Sequence, residues 1–350
     1  MAIAHRPRRF KPAWPFAFFL IFLSPIVATE IFAAQQPPSS GQQPIQTSSD
    51  LVAVDVSVLD HNGNFYPGLT QKDFHVLDDG VEKPVLFFAP VEAPAHMLVL
   101  METGPAVFLI HDQHLLALSS LLDGLAPDDQ AALFVYAESV RELVPFTTKK
   151  AALRGSIDES RYIVGMDHLN FYDSLREVLD RFPSGPGKKA IVALSTGLDD
   201  SPQGHWDLLE RKLRANDVVV FAVGLGGPLR GDAPVKSSKK KKKKTRGAAT
   251  DSGPTPAFAR ADEALRSIAQ ITGGRAYFPQ SADDYAPAYR EIAAAVRNQY
   301  VLGIAPDHDG QFHKLSIDIV DSESQSRKSK KPKTPEFRTF YREGYLAPSQ

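Results

Sequence analysis

The 350-residue chain contains no cysteine, which excludes disulfide frameworks, thiolate zinc sites and cysteine nucleophiles. It also lacks the Gly-x-Ser-x-Gly elbow of the hydrolase fold. Ser195, in Leu194-Ser195-Thr196-Gly197, stands at an expected strand end, but no His and acid can be identified as its partners. A dinucleotide-type glycine loop is missing too. Gly224, Gly226 and Gly227 follow a strand but lead into a lysine-rich stretch instead of a helix, so they are read as a tight turn. No apolar run is long enough for a spanning helix. The run from Trp14 to Ala28 falls short of the roughly 20 residues required and is interrupted by Pro15 and Pro25.

What is present is an ordinary globular composition, 43% hydrophobic and 23% charged, with a formal net charge of −1. That small charge conceals an uneven distribution. Residues 1–34, with Arg6, Arg8, Arg9 and Lys11 ahead of the apolar run and small residues at Ala33 and Ala34, read as a signal peptide that is removed. An uncleaved signal would instead anchor the chain. Two basic clusters follow in the remainder, one from Lys236 to Arg246 and one from Arg327 to Lys333. Outside them the body is acidic.

Residues 35–50, rich in Gln, Pro and Ser, are expected to form a flexible linker. From Leu51 to Leu59 the valines at 52, 54, 56 and 58 alternate with other residues, a period of two that predicts a half-buried strand. Phe74 to Leu77 and Val85 to Phe88 flank the turn signature Asp78-Asp79-Gly80, so 51–92 reads as a small antiparallel β segment. Beyond Ala93 the texture changes. Met97 to Leu100, Ala131 to Val135, Ile191 to Leu194 and Val218 to Val223 are apolar throughout, as strands covered on both faces should be. Helical stripes separate or follow them, at Phe171, Leu175, Val178, Phe182, at Phe258, Ala261, Leu265, Ile268, and at Tyr285, Tyr289, Ile292, Val296. The alternation predicts a doubly wound α/β domain over 93–299 with a mostly parallel sheet. A disordered lysine-rich insertion is expected at 228–256, because six consecutive lysines repel one another. Strands return at 300–348 and are expected to pack with 51–92, since neither set can bury its apolar face alone. Phe312, Phe337, Phe340, Tyr341 and Tyr345 are read as core filling of that β unit.

The order of these segments resembles a von Willebrand factor type A (vWA) domain, and more narrowly the exported bacterial proteins called VWFA-related. The resemblance rests on Met97–Leu100 followed by Met101-Glu102-Thr103-Gly104-Pro105, and on Ile191–Leu194 followed by Ser195-Thr196-Gly197-Leu198-Asp199. Gly68-Leu69-Thr70-Gln71-Lys72-Asp73-Phe74, Thr272-Gly273-Gly274-Arg275, Gln299-Tyr300-Val301-Leu302-Gly303 and Arg342-Glu343-Gly344-Tyr345 extend it across residues 51–348. It implies a Rossmann-like domain that binds macromolecules, with a divalent ion, usually magnesium, held at the sheet's carboxyl edge. The resemblance aligns the family's ion ligands with Met101, Thr103 and Pro105 in the first loop, Leu169 in a later loop and Thr196 after the fourth strand. Both carboxylates and the second-loop hydroxyl are then lost, and a thioether and a proline ring cannot serve as hard oxygen donors.

The crevice is therefore expected to be a metal-free pseudo-site, with no cofactor. A competing expectation is a shifted magnesium site built from Glu102, Asp199 and Asp200. Against it, side chains one residue along a turn point elsewhere, and Asp199 and Asp200 precede the helix of Trp206 and Leu209, which they would cap. His111 and His114, near Asp112, have a metal-compatible spacing but no third ligand nearby, and are read as surface residues. The expected function is that of an exported, non-enzymatic scaffold for a protein or envelope partner. The alternative is adhesion to an anionic surface through Lys239, Lys240, Lys241, Lys242, Lys243 and Lys244. Nothing in the chain points to a specific nucleic-acid target or a small-molecule substrate.

Overall fold

The structure is a computed structural model that describes residues 51–104, 111–160, 168–184, 187–201, 205–227, 230, 256–320 and 337–349. The signal and linker segments, Pro105, Lys239 to Lys244 and the second basic cluster lie outside the described residues. Ser49–Gln350 is one compact unit. Its first five strands are β1 (Val52–Leu59), β2 (Phe74–Asp78), β3 (Val81–Lys83), β4 (Phe87–Glu92) and β5 (Ala95–Glu102). There follow α1 (His111–Gly124), β6 (Gln130–Tyr136), β7 (Val140–Thr147), α2 (Lys150–Ser160), α3 (Phe171–Val178), β8 (Lys188–Ser195), α4 (His205–Ala215) and β9 (Val219–Gly224). The chain continues through α5 (Pro256–Thr272), β10 (Ala276–Tyr277), α6 (Tyr285–Arg297), β11 (Asn298–Ile304), β12 (Phe312–Ile319), β13 (Arg338–Phe340) and β14 (Gly344–Leu346).

The central sheet has the order β10-β9-β8-β5-β6-β7, parallel except for the antiparallel edge strand β7. Successive side chains on a strand face opposite ways, and here each face meets its own helices. Met97, Val99 and Met101 of β5 join Val192 and Leu194 of β8 in a core shared with α1 and α6. Leu98 and Leu100 join Ile191 and Ala193 in a second core shared with α3, α4 and α5. The fold is thus a doubly wound, Rossmann-like α/β domain with a mostly parallel sheet, as expected.

The remaining strands interleave the two ends of the chain. One sheet runs β13-β1-β11-β4 and the other β14-β12-β2-β3. Val54, Val56, Val58, Tyr300 and Leu302 of the first share a buried core with Phe74, Val76, Leu315, Ile317 and Tyr345 of the second. The β unit is therefore built jointly by N- and C-terminal strands. Within it Asp78-Asp79-Gly80 turns as expected, with positive φ at Asp79 (48°) and Gly80 (84°), a pair of values that matches the twist of a two-residue hairpin. The partner strand differs from expectation. β2 pairs with Val81–Lys83, whereas Phe87 and Phe88 pair with β11 in the other sheet.

Candidate functional site

In a doubly wound sheet the chain leaves neighbouring strands in opposite directions at one point, and the carboxyl ends there open a crevice. Here that point lies between β5 and β8, which are adjacent in the sheet and lead into Glu102 and Ser195. Strand register decides which side chain enters it. Met101 pairs with Leu194 and turns into the α1/α6 core, fully buried, so it does not hold the loop-facing position. Glu102 does. This corrects the alignment of the first loop: the crevice keeps a carboxylate, one methylene longer than an aspartate.

Glu102 is fully buried and presents one oxygen to four polar neighbours. Its Oε2 accepts from the Thr196 backbone N–H at 2.7 Å and the Thr196 hydroxyl at 2.8 Å, while the Tyr136 and Ser195 hydroxyls, 2.6 Å apart, lie 3.1 and 3.3 Å from it and share two hydrogens among those three contacts. Burial lifts its carboxyl above the usual glutamate range, opposed by those hydrogen bonds. Among the described residues its Oε1 has no hydrogen-bond partner. A Cβ placed on Gly104 would lie 3.2 Å from that oxygen and 2.9 Å from the Leu169 side chain, so Gly104 leaves room for an apolar wall beside the carboxylate. The expectation that Glu102 points elsewhere is overturned.

Thr196 is held from its other side by Arg230, whose guanidinium donates to the carbonyls of Thr196 and Leu225 and pairs with Asp262. The guanidinium also stacks 5.0 Å from the Phe258 ring centroid and 5.4 Å from that of Phe278. Burial brings its pKa down to about 10, and the Glu102 charge opposes that fall. Gly224 serves this packing, since a Cβ there would lie 2.5 Å from the Phe278 ring; of Gly224, Gly226 and Gly227, Gly226 alone has the left-handed turn conformation, with φ of 79°. Thr103, nearly buried, donates its hydroxyl to the Tyr136 carbonyl at 3.0 Å.

Asp199 and Asp200 do not join Glu102. Asp199 accepts from the backbone N–H groups of Tyr172 and Ser201, both at 2.8 Å, and so caps α3 instead of α4. Asp200 accepts from the Leu169 N–H at 3.1 Å. Together they bind the loop after β8 to the start of α3. Ser195 is fully buried and bonded to Tyr136 at 2.6 Å, with no imidazole among its described partners. His111 and His114 occupy the first turn of α1. Sequence reasoning missed Tyr136 and Arg230 altogether. Tyr136 carries a signal, because it ends an apolar strand adjacent to β5. Arg230 carries none, since no motif or hydrophobic period marks its place in the sequence.

Numbered from β5 in chain order, the sheet runs 3-2-1-4-5-6, with strand 3 the antiparallel edge and the crevice between strands 1 and 4. This is the strand order of a doubly wound α/β sheet. Solved structures similar to this chain include a von Willebrand factor type A protein from Catenulispora acidiphila, at 10% identity and a TM-score of 0.45, covering 78% of this chain and 71% of that one. An aerotolerance-related membrane protein from Bacteroides fragilis is 14% identical with a TM-score of 0.43, over 57% of this chain and 98% of its own. Proximal thread matrix protein 1 of the mussel byssus is 15% identical with a TM-score of 0.43, over 61% and 49%. No protein-family model and no curated protein sequence matches the chain.

Proposed function

We propose that this vWA-like chain is an exported, non-enzymatic scaffold that docks a protein or envelope partner at the carboxyl edge of its sheet without a bridging cation. The observation that carries the reading is the bracket around Thr196, with Glu102 on its N–H and hydroxyl and Arg230 on its carbonyl. A magnesium ion needs about six oxygens in near-octahedral array, several of them free to turn inward. Glu102 Oε2, Thr196 and Ser195 are already committed to one another, and Oε1, the carboxylate oxygen left unpaired among the described residues, faces Gly104 and the hydrocarbon of Leu169, while the guanidinium of Arg230 contributes the positive charge beside the carboxylate. A catalytic role for Ser195 is opposed by its burial and by its hydrogen bonds to Tyr136 and Gly197.

The absence of cysteine allows a clean test. A photo-crosslinker on Leu198→Cys, beside the crevice, should yield a specific adduct in an envelope extract, equally with and without millimolar magnesium. The same probe on Glu82→Cys, an exposed position on β3, serves as the control. An adduct that requires magnesium, or identical adducts from both positions, would defeat the proposal.

A further inference from the structure

Away from the crevice, where β12 lies between β2 and β14, three carboxylates converge on one imidazole nitrogen. His313 Nδ1 is 3.0 Å from Asp78 Oδ1, 3.1 Å from Asp79 Oδ2 and 3.9 Å from Asp307 Oδ2. Nδ1 carries at most one hydrogen, and one hydrogen cannot serve three carboxylates. A cation can. Ligands at about 2.0–2.1 Å from a tetrahedral ion lie about 3.3 Å apart, near the two shorter contacts of Nδ1. Ligand atoms of Asp78, Asp307 and His313 all fall within 4.8 Å of one another.

The outer atoms of these side chains are each held by a separate group. Asp78 Oδ2 accepts from the Tyr345 hydroxyl at 2.7 Å, Asp79 Oδ1 from the Lys314 N–H at 3.0 Å, and Asp307 Oδ1 from the Lys83 ammonium at 2.9 Å. His313 Nε2 lies 3.1 Å from Asp309 Oδ1, which fixes the ring with Nδ1 turned inward. Outer partners of this kind orient metal-binding carboxylates and imidazoles. The inner pair is buried, with Asp78 2% and His313 7% exposed, while the Asp79 and Asp307 side chains are half exposed and leave an entry path. Four carboxylates face one ammonium, so with a neutral imidazole the cluster holds an excess of negative charge that a divalent ion would reduce.

We propose that Asp78, Asp307 and His313, with Asp79 beside them, form a binding site for a divalent transition-metal ion of the zinc type, on the β unit and apart from the crevice. The bound ion ties the β2–β3 turn to β12 and to the loop that precedes it, segments more than 200 residues apart in sequence. It acts as a staple in a chain that has no disulfide.

The test uses the untagged chain, stripped of metal and titrated with zinc by calorimetry and by thermal unfolding. A one-to-one isotherm and a rise in Tm are expected. Asp307→Asn, at a half-exposed position that leaves folding intact, should weaken zinc binding at least about tenfold. His313→Gln should abolish it. Glu102→Gln should leave it unchanged, which separates this site from the crevice and from the docking proposal. Absence of zinc binding, or binding undiminished in Asp307→Asn and Asp79→Asn, would overturn the assignment, as would loss of binding in Glu102→Gln.

Discussion

Met101 and Glu102 are adjacent in sequence and opposite in role, because a strand sends successive side chains to opposite faces. If Met101 is core and not a lost ligand, Met101→Asp will not create a magnesium site; it will bury an unpaired charge, at a cost on the order of 3–5 kcal/mol. Urea unfolding and a magnesium titration of that variant check both halves. Glu102 sets a pH dependence. Burial raises its native pKa above the ordinary 4.5, so the native state holds this proton more tightly than the unfolded chain does. Its contribution to stability is therefore full below 4.5 and is lost as pH rises through the native value. Glu102→Gln cannot titrate, and its urea midpoint should gain on the wild type as pH rises from 4.5 toward neutrality. Parallel profiles would show that Glu102 keeps its ordinary pKa in the fold.

At the scale of elements, β11 lies between β1 and β4 and also carries Tyr300 into the sandwich core. A fragment ending at Val296 removes β11 to β14 and leaves β1 and β4 with bare edges. It should lose cooperative unfolding, and a 51–296 fragment as stable as the parent would contradict the interleaved topology. Sequence made the α/β layer legible because buried parallel strands read as unbroken apolar runs and their helices as stripes, as at Ile191–Leu194 and Tyr285–Val296. It failed at the crevice for a narrower reason: an apolar run shows where a strand lies but not which of its last two side chains faces the loop. The alternation of Val52 to Val58 marked β1, yet nothing local showed that Val54 pairs with Leu302. The His313 cluster was invisible for the same reason. Its aspartates at 78 and 79 lie some 235 residues away, and no spacing rule connects them.

For the molecule as a whole, the α/β layer and the sandwich are joined by α6, which runs directly into β11, and by ion pairs on the buried carboxylate of Glu291. Glu291 of α6 accepts from Arg275, Tyr277 and Arg338, which joins a helix of the layer to a strand of the sandwich. Calorimetry should accordingly give a single unfolding transition for residues 51–349, and two separated peaks would count against that coupling. Of the described strands β1 comes first, and its hydrogen-bond partners β11 and β13 lie more than 200 residues further along. At a synthesis rate of about 5–20 residues per second, Val52–Leu59 waits on the order of 10–50 s before either neighbour exists. Throughout that interval the nascent chain keeps an open, valine-rich edge, and it cannot lock shut until β11 has been made.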